Sequence, residues 1–316
     1  MKKILTLISA IASAHCLCSS CDRTQSNISS AIKATEIVKS IRSNTSFTLS
    51  DKHIKGSLDF TAAGNGAMAL ELSPAYINCE IVFVGCVFED DVTTFATIGE
   101  HKQNIYSVFM RNVTFRNCTF SKKLNMQQAE INGHFSFDNC HVIGEANFSG
   151  MSVDDASISS STFDDNAFFI SATFNKRTTF AKTTFSQDAI FQYTHFSNIC
   201  TFTDARMGGY TDFSNAFASA LFDFTNARFG GRTTMLNATF IGQLKMAKCV
   251  FSDNLSITQC KLLGGVNLAN AHIAKMLELS DNIIATKPNL STISKGENCH
   301  IEAENNTSFQ HIQINL

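Results

Sequence analysis

Tryptophan is absent from the 316 residues and tyrosine occurs only 4 times, so the rings that most often stack on sugars are nearly missing. Charge is scarce as well: 16% of residues are charged, and 25 Lys+Arg against 27 Asp+Glu leave a net of −2. That balance gives no reason to expect nucleic acid as a partner or strong electrostatic steering. The 9 histidines form no His-Glu-x-x-His, and Cys18-Ser19-Ser20-Cys21 at the amino terminus is the one Cys-x-x-Cys, which argues against a metal site. Neither Gly-x-Ser-x-Gly nor a phosphate loop ending in Lys-Ser/Thr occurs. What remains is 44% apolar residues, ample for a core and incompatible with intrinsic disorder, together with 28 Phe and 11 Cys. An excess of Phe over Tyr this large needs a positional cause.

The cause is a repeat. Stepping by 11 from Phe163 gives Phe174, Phe185, Phe196, Met207, Ala218, Phe229, Phe240, Phe251, Leu262 and Ile273. Stepping by 11 from Phe169 gives Phe180, Phe191, Phe202, Phe213, Phe224, Met235, Met246, Ile257, Leu268 and Leu279. Of these 22 positions, 21 are large and apolar and one is Ala. The series interleave at spacings of 6 and 5, which fits neither a helix of period 3.6 nor a long strand of period 2. It fits short extended segments that turn a corner every five or six residues. Two residues before the first series runs a second ladder, from Ser161, Ala172, Thr183 and Thr194 to Cys249, Cys260 and Ala271, and every member is small. Residues i−2 and i of an extended segment point to one side. A small residue beside a large one therefore lets the chain close around a narrow interior. Fainter copies carry the phase back through Phe148, Phe137 and Phe120 to Phe115.

Ala172-Thr173-Phe174, Ala227-Arg228-Phe229 and Ala238-Thr239-Phe240 resemble the small-x-Phe/Leu core of the pentapeptide-repeat family. The resemblance implies an all-β right-handed quadrilateral β-helix with one repeat per face, the central residue and its i−2 neighbour pointing inward. Because every second unit is one residue longer, the sequence departs from the family pattern and implies bulged faces and a coil period of 22. Ala205-Arg206-Met207-Gly208-Gly209 recurs at an offset of 22 as Ala227-Arg228-Phe229-Gly230-Gly231, which favours that coil over a flatter two-sided one of half the length. The structural core is then Phe174, Phe180, Phe185, Phe191, Phe196, Phe202, Phe213, Phe224, Phe229, Phe240 and Phe251, each contributing about 2 to 3 kcal/mol and stacking in register.

Met1-Lys2-Lys3 and the apolar run Ile4 to Leu17 form a basic n-region and an h-region too short to span a bilayer. Ser19-Ser20-Cys21 follows and resembles a lipoprotein lipobox, with Cys18 where Leu is usual, making Cys21 the expected lipidation site and first mature residue. No second apolar run of about 18 residues follows. The expected organisation is a signal peptide over 1–20, a tether and capping helix over 21–44, a β-helix over 45–290, and a cap or tail over 291–316. The β-helix is irregular to about 114 and regular from 115 to 279. Ile37, Val38 and Ile41 at helical spacing place the capping helix at Ala34 to Arg42.

Cys79, Cys86, Cys118, Cys140, Cys200, Cys249, Cys260 and Cys299 each stand two residues before an apolar residue, the small inward slot, where a thiol acts as a slightly large Ala. The competing reading is a disulfide between stacked slots, best for Cys118 with Cys140. Asp154-Asp155 and Asp164-Asp165 read as solvated corner residues rather than catalytic pairs, since strand neighbours point to opposite sides.

The expectation is a non-catalytic envelope protein without cofactor, tethered to a membrane through a lipid on Cys21 and presenting a rigid β-helix to an unknown protein or glycan. Glycan binding or polysaccharide degradation is the alternative. A DNA-mimicking, gyrase-protecting role is disfavoured by the export signal and by residues 163–279, which carry 10 Lys+Arg against 8 Asp+Glu.

Overall fold

The structure is a computed structural model that describes residues 30–43, 46–64, 72–100 and 102–308. Cys21 and the 1–20 leader lie outside the described residues. Apart from one helix, the described chain is strand, turn and bend.

Strands this short hold no shape alone; pairing with the next coil fixes them. From residue 162 the pairing is parallel and offset by 22, widening to 24 in the last pairings, Met276 with His300 and Ile283 with Thr307: Thr162 aligns with Thr184, then Arg206, Arg228, Val250 and His272. One sheet of 12 strands runs from Ala31–Lys33 to Ser294–Lys295 and forms the first face. A sheet of 11 strands, Leu58–Asp59 to His300–Glu302, forms the second. The remaining strands make the third and fourth faces. There Ser152–Ser157 turns the corner, pairing at its start with Thr173–Phe174 and at its end with Thr178–Thr179. At about 4.8 Å per coil, the 11 spacings of the first face make a rod of roughly 53 Å.

The spacings of 5 and 6 correspond to two kinds of corner. At every eleventh position from Ser160 to Asp281 the backbone has φ near +57°, and Lys182, Tyr193, Asn215, Asn226 and Asn237 are among these positions. Each stands just before the small slot of the first or third face. The turn is closed by the slot N–H donating to a carbonyl three residues back, as from Ala172 to Phe169 at 3.0 Å and from Ala227 to Phe224 at 2.8 Å. A left-handed residue at the third position with this bond is the mark of a type II turn. Asn and Asp tolerate that conformation better than other side chains, which explains their recurrence.

The interior is one continuous cluster from Ala34 to Ile284. All eleven predicted core Phe residues are buried. They stack between coils: Phe148, Phe169, Phe191 and Phe213 form a column with ring centroids 4.7 Å apart. Phe180 and Phe202 stack at 4.5 Å, and Phe229 and Phe251 at 4.6 Å.

The single Ala in the large series has a local explanation. Ala218 leaves a gap in the third-face column between Phe196 and Phe240, and Phe222 fills it, with its ring 4.9 Å from Phe196 and 5.5 Å from Phe240. Phe222 occupies a fourth-face slot whose register neighbours are Cys200 and Leu244. The large group has moved to the next face, and Phe217 turns outward to stack on His195 at 4.5 Å.

The regular coil has one defect. Between Ile131 and His134 the register offset drops by one, as Ile131 aligns with Val153 but His134 with Asp155. Near the amino terminus the first-face offsets grow to 34 (Ile54 to Phe88) and 32 (Phe88 to Phe120). Some of this extra length forms a side sheet: Phe95–Ile98 pairs antiparallel with Gln103–Phe109, which pairs parallel with Leu72–Ile77.

The helix is Ala34–Arg42, with Ala34, Ile37 and Ile41 buried. The strand Ala31–Lys33 precedes it and already belongs to the first face, so the helix replaces the second face of the first coil and covers Leu58–Asp59. At the other end the solenoid runs further than the apolar pattern shows. Ser294–Lys295, His300–Glu302 and Thr307–Ser308 add three more rungs within the segment expected as a tail. The pattern fades there because a terminal coil has no neighbour to bury it: Lys295 is exposed and the Asn306 amide donates to the Leu279 carbonyl at 2.5 Å.

Candidate functional surface

Where a slot that follows a left-handed corner holds Ser, Thr, Cys or Asn instead of Ala, its side chain is also a hydrogen-bond donor. Thr194 Oγ1 donates to the Phe169 carbonyl at 2.7 Å, Ser161 Oγ to Phe137 at 2.8 Å, Cys249 Sγ to Phe224 at 3.0 Å and Cys260 Sγ to Met235 at 3.1 Å. Thr183 makes the same bond to Ile158, and Asn282 Nδ2 to Ile257 at 2.8 Å. Each acceptor is the central residue of the preceding face one coil earlier. The Phe224 carbonyl thus uses both lone pairs, for the turn N–H and for the thiol above it. In second-face slots no such acceptor is in reach; Thr211 and Thr233 hydroxyls are buried there without a partner among the described residues.

The eight thiols are free, seven of them buried and Cys299 half-buried. Hydrogen bonding to Cys140 pushes the Cys118 thiol up to about 12, and burial pushes Cys249 and Cys260 up to about 12. Burial raises Cys200 well above the ordinary thiol value too. Thiols held this firmly in the protonated state are poor nucleophiles and poor metal ligands. Among the described residues no group of three or more His, Cys, Asp or Glu is arranged to hold a metal ion.

The acidic residues at the corners are open to solvent, Asp165 most of all, and three of the four also reach a neighbouring coil. Asp154 binds Lys176 at 2.9 Å, Asp155 binds His134 at 3.0 Å and Asp164 binds His141 at 2.6 Å. Corner geometry brings each carboxylate beside the coil above or below. This is the rule on the outer faces. Lys245 with Asp223, Lys275 with Asp253, Lys176 with Asp154 and Lys123 with Glu145 are all opposite charges one coil apart, at 2.6 to 3.6 Å. The ladders also align like charges, Lys33 with Lys55 and Glu278 with Glu302 towards the two ends of the rod and a pair of arginines within it. Arg206 aligns directly with Arg228 on the first face, both exposed, and neither forms an ion pair among the described residues. The sequence signal was the repeated Ala-Arg-x-Gly-Gly, which first served only to set the coil length. Gly208 and Gly230 beside them admit no side chain, since a Cβ would lie 2.5 Å from the Ser186 carbonyl and 2.8 Å from that of Gly208. Cys21, the predicted lipidation site, lies outside the described residues.

The fold defines a class: a four-sided parallel β-solenoid whose coil contains four small-x-large units. The family of pentapeptide repeats matches residues 106–152 and 169–216, with 9 copies, so these two segments carry the repeats of that family. The interval between the two matches holds the shortened coil, and the second match ends just before the Ala218 inversion. No curated protein and no solved structure matches the chain significantly.

Proposed function

We propose that the chain is a non-catalytic, lipid-anchored envelope protein that presents its solenoid as a binding or spacing scaffold. The observation that carries this reading is the single core from Ala34 to Ile284, which makes the rod one stiff body with outer faces free to vary. Of the carboxylates that resembled catalytic pairs, Asp154 forms a coil-to-coil ion pair with Lys176, and Asp155 and Asp164 are hydrogen-bonded to His134 and His141. The thiols are sequestered. No helix among the described residues is long and apolar enough to cross a membrane; in this reading the tether is the lipid on Cys21. Metabolic labelling with palmitate tests the anchor: wild type incorporates label and Cys21→Ser does not. Equal labelling of both removes the anchor from the proposal. Affinity capture from envelope fractions with the full chain as bait tests the scaffold role, and recovery of no envelope component would contradict it.

A further inference from the structure

The outer faces pair opposite charges one coil apart at four places, yet within the regular coils Arg206 faces Arg228 at that spacing, as Lys33 faces Lys55 at the amino-terminal end. Like charges directly opposite on a ladder destabilise it. Lys248 lies beside them, and together they line an open depression of about 350 Å³ in which Asp204 is the one acid among the lining residues. None of the three cations has an ion-pair partner among the described residues. A second depression of about 320 Å³ flanks the same two arginines on the other side, floored by Gly208 and Gly230. The glycines are dictated by coil-to-coil contact, and the consequence is a bare shelf on which a ligand can approach both guanidiniums.

We infer that Arg206 and Arg228, assisted by Lys248, form a clamp for phosphate or sulfate esters carried on a glycan chain. This rests on the scaffold reading and supplies its partner class. Two arginines on adjacent rungs, whose backbones lie about 4.8 Å apart, can each offer a planar fork, and a tetrahedral oxyanion has enough acceptor oxygens to bridge them. A glycan fits better than a bilayer, because none of the six exposed large apolar residues, such as Ile143 or Ile241, lines either depression. It also fits better than duplex nucleic acid, since the positive patch covers two rungs of a rod with about 12 and the chain as a whole carries −2.

The test is titration calorimetry of the full chain with heparin at physiological salt. The Arg206→Gln/Arg228→Gln double variant should weaken binding tenfold or more, whereas Arg111→Gln/Arg116→Gln, an equal charge loss on exposed residues, should weaken it less than twofold. Arg206→Lys/Arg228→Lys keeps the charge but loses the fork and should recover only part of the affinity. Equal weakening by the two Gln double variants, or tighter binding of duplex DNA or phosphatidylglycerol vesicles than of heparin, overturns the clamp. So does the absence of heparin binding. If the chain still captures an envelope component in that case, the scaffold reading survives the loss of the clamp; if it captures none, both fall.

Discussion

Truncating Phe222 to Ala puts the slot logic of the core under direct strain. The ring is fully buried, with five aromatic neighbours: Phe196 at 4.9 Å, Phe224 at 5.2 Å, Phe240 at 5.5 Å, and Phe202 and Phe213 at 5.7 Å. Removing it leaves two adjacent small residues, since Ala218 already vacates the third-face column. The coil cannot collapse into that space without breaking register with Phe196 and Phe240. The cost should therefore sit at the full Phe-to-Ala value, about 3 to 5 kcal/mol. Adding Ala218→Phe should return a large ring to the column, so the double variant should recover at least about 2 kcal/mol, although Ala218→Phe alone overpacks and destabilises. Solenoids lose coils locally, so a global melting temperature understates the effect. Native-state hydrogen exchange of amides in residues 213–246 is the suitable assay. A cost below about 1 kcal/mol for Phe222→Ala, or strictly additive effects of the two substitutions, would refute the compensation.

Two further expectations concern chemistry at fixed positions. Unfolded thiols titrate near 9, whereas Cys118, Cys249 and Cys260 hold their protons to about 12 in the fold. Their folded values are raised, so their contribution is complete below pH 9 and declines above it, by up to about 1.4 kcal/mol per thiol per pH unit. Urea titrations should lose roughly 3 to 4 kcal/mol of stability from pH 9 to 10 across the three sites, and the triple Ser variant should flatten that slope. An unchanged slope in the variant would count against the buried-thiol account. Tyr193 has φ +58° and is 60% exposed, so it bears a left-handed backbone with little packing in return. Tyr193→Asn should stabilise by about 0.5 to 1 kcal/mol, while the same change at neighbouring His195, which is not left-handed, should not; destabilisation by Tyr193→Asn contradicts the corner assignment.

The large-residue series was legible because burial selects one residue type at a fixed spacing, and the stacked columns of Phe169, Phe191 and Phe213 follow from it directly. The corners were less legible. Their left-handed positions carry Asn215, Asn226 and Asn237 but also Lys182 and Tyr193, because exposed strain of about 1 kcal/mol is tolerated when the whole coil is held from both sides. The donor role of Ser161, Thr183 and Thr194 was hidden by their size, which alone explained the slot. Phe222 could not be placed because its partner, Ala218, reads as a simple interruption. The paired arginines were visible as a repeat. Their lack of counter-charge needed the coil register, since only the structure shows what lies one coil away on the same face.

The central claim is a coil of four faces whose register offset is 22. Spin labels at Thr162 and His272, in Thr162→Cys and His272→Cys, measure it, because those positions share an outward column and are separated by five register steps. At about 4.8 Å per coil the backbone separation is about 24 Å, and the dipolar distance should centre near that value. A two-sided coil of half that length would double the number of rungs and place the labels about 48 Å apart, and that result would contradict the account.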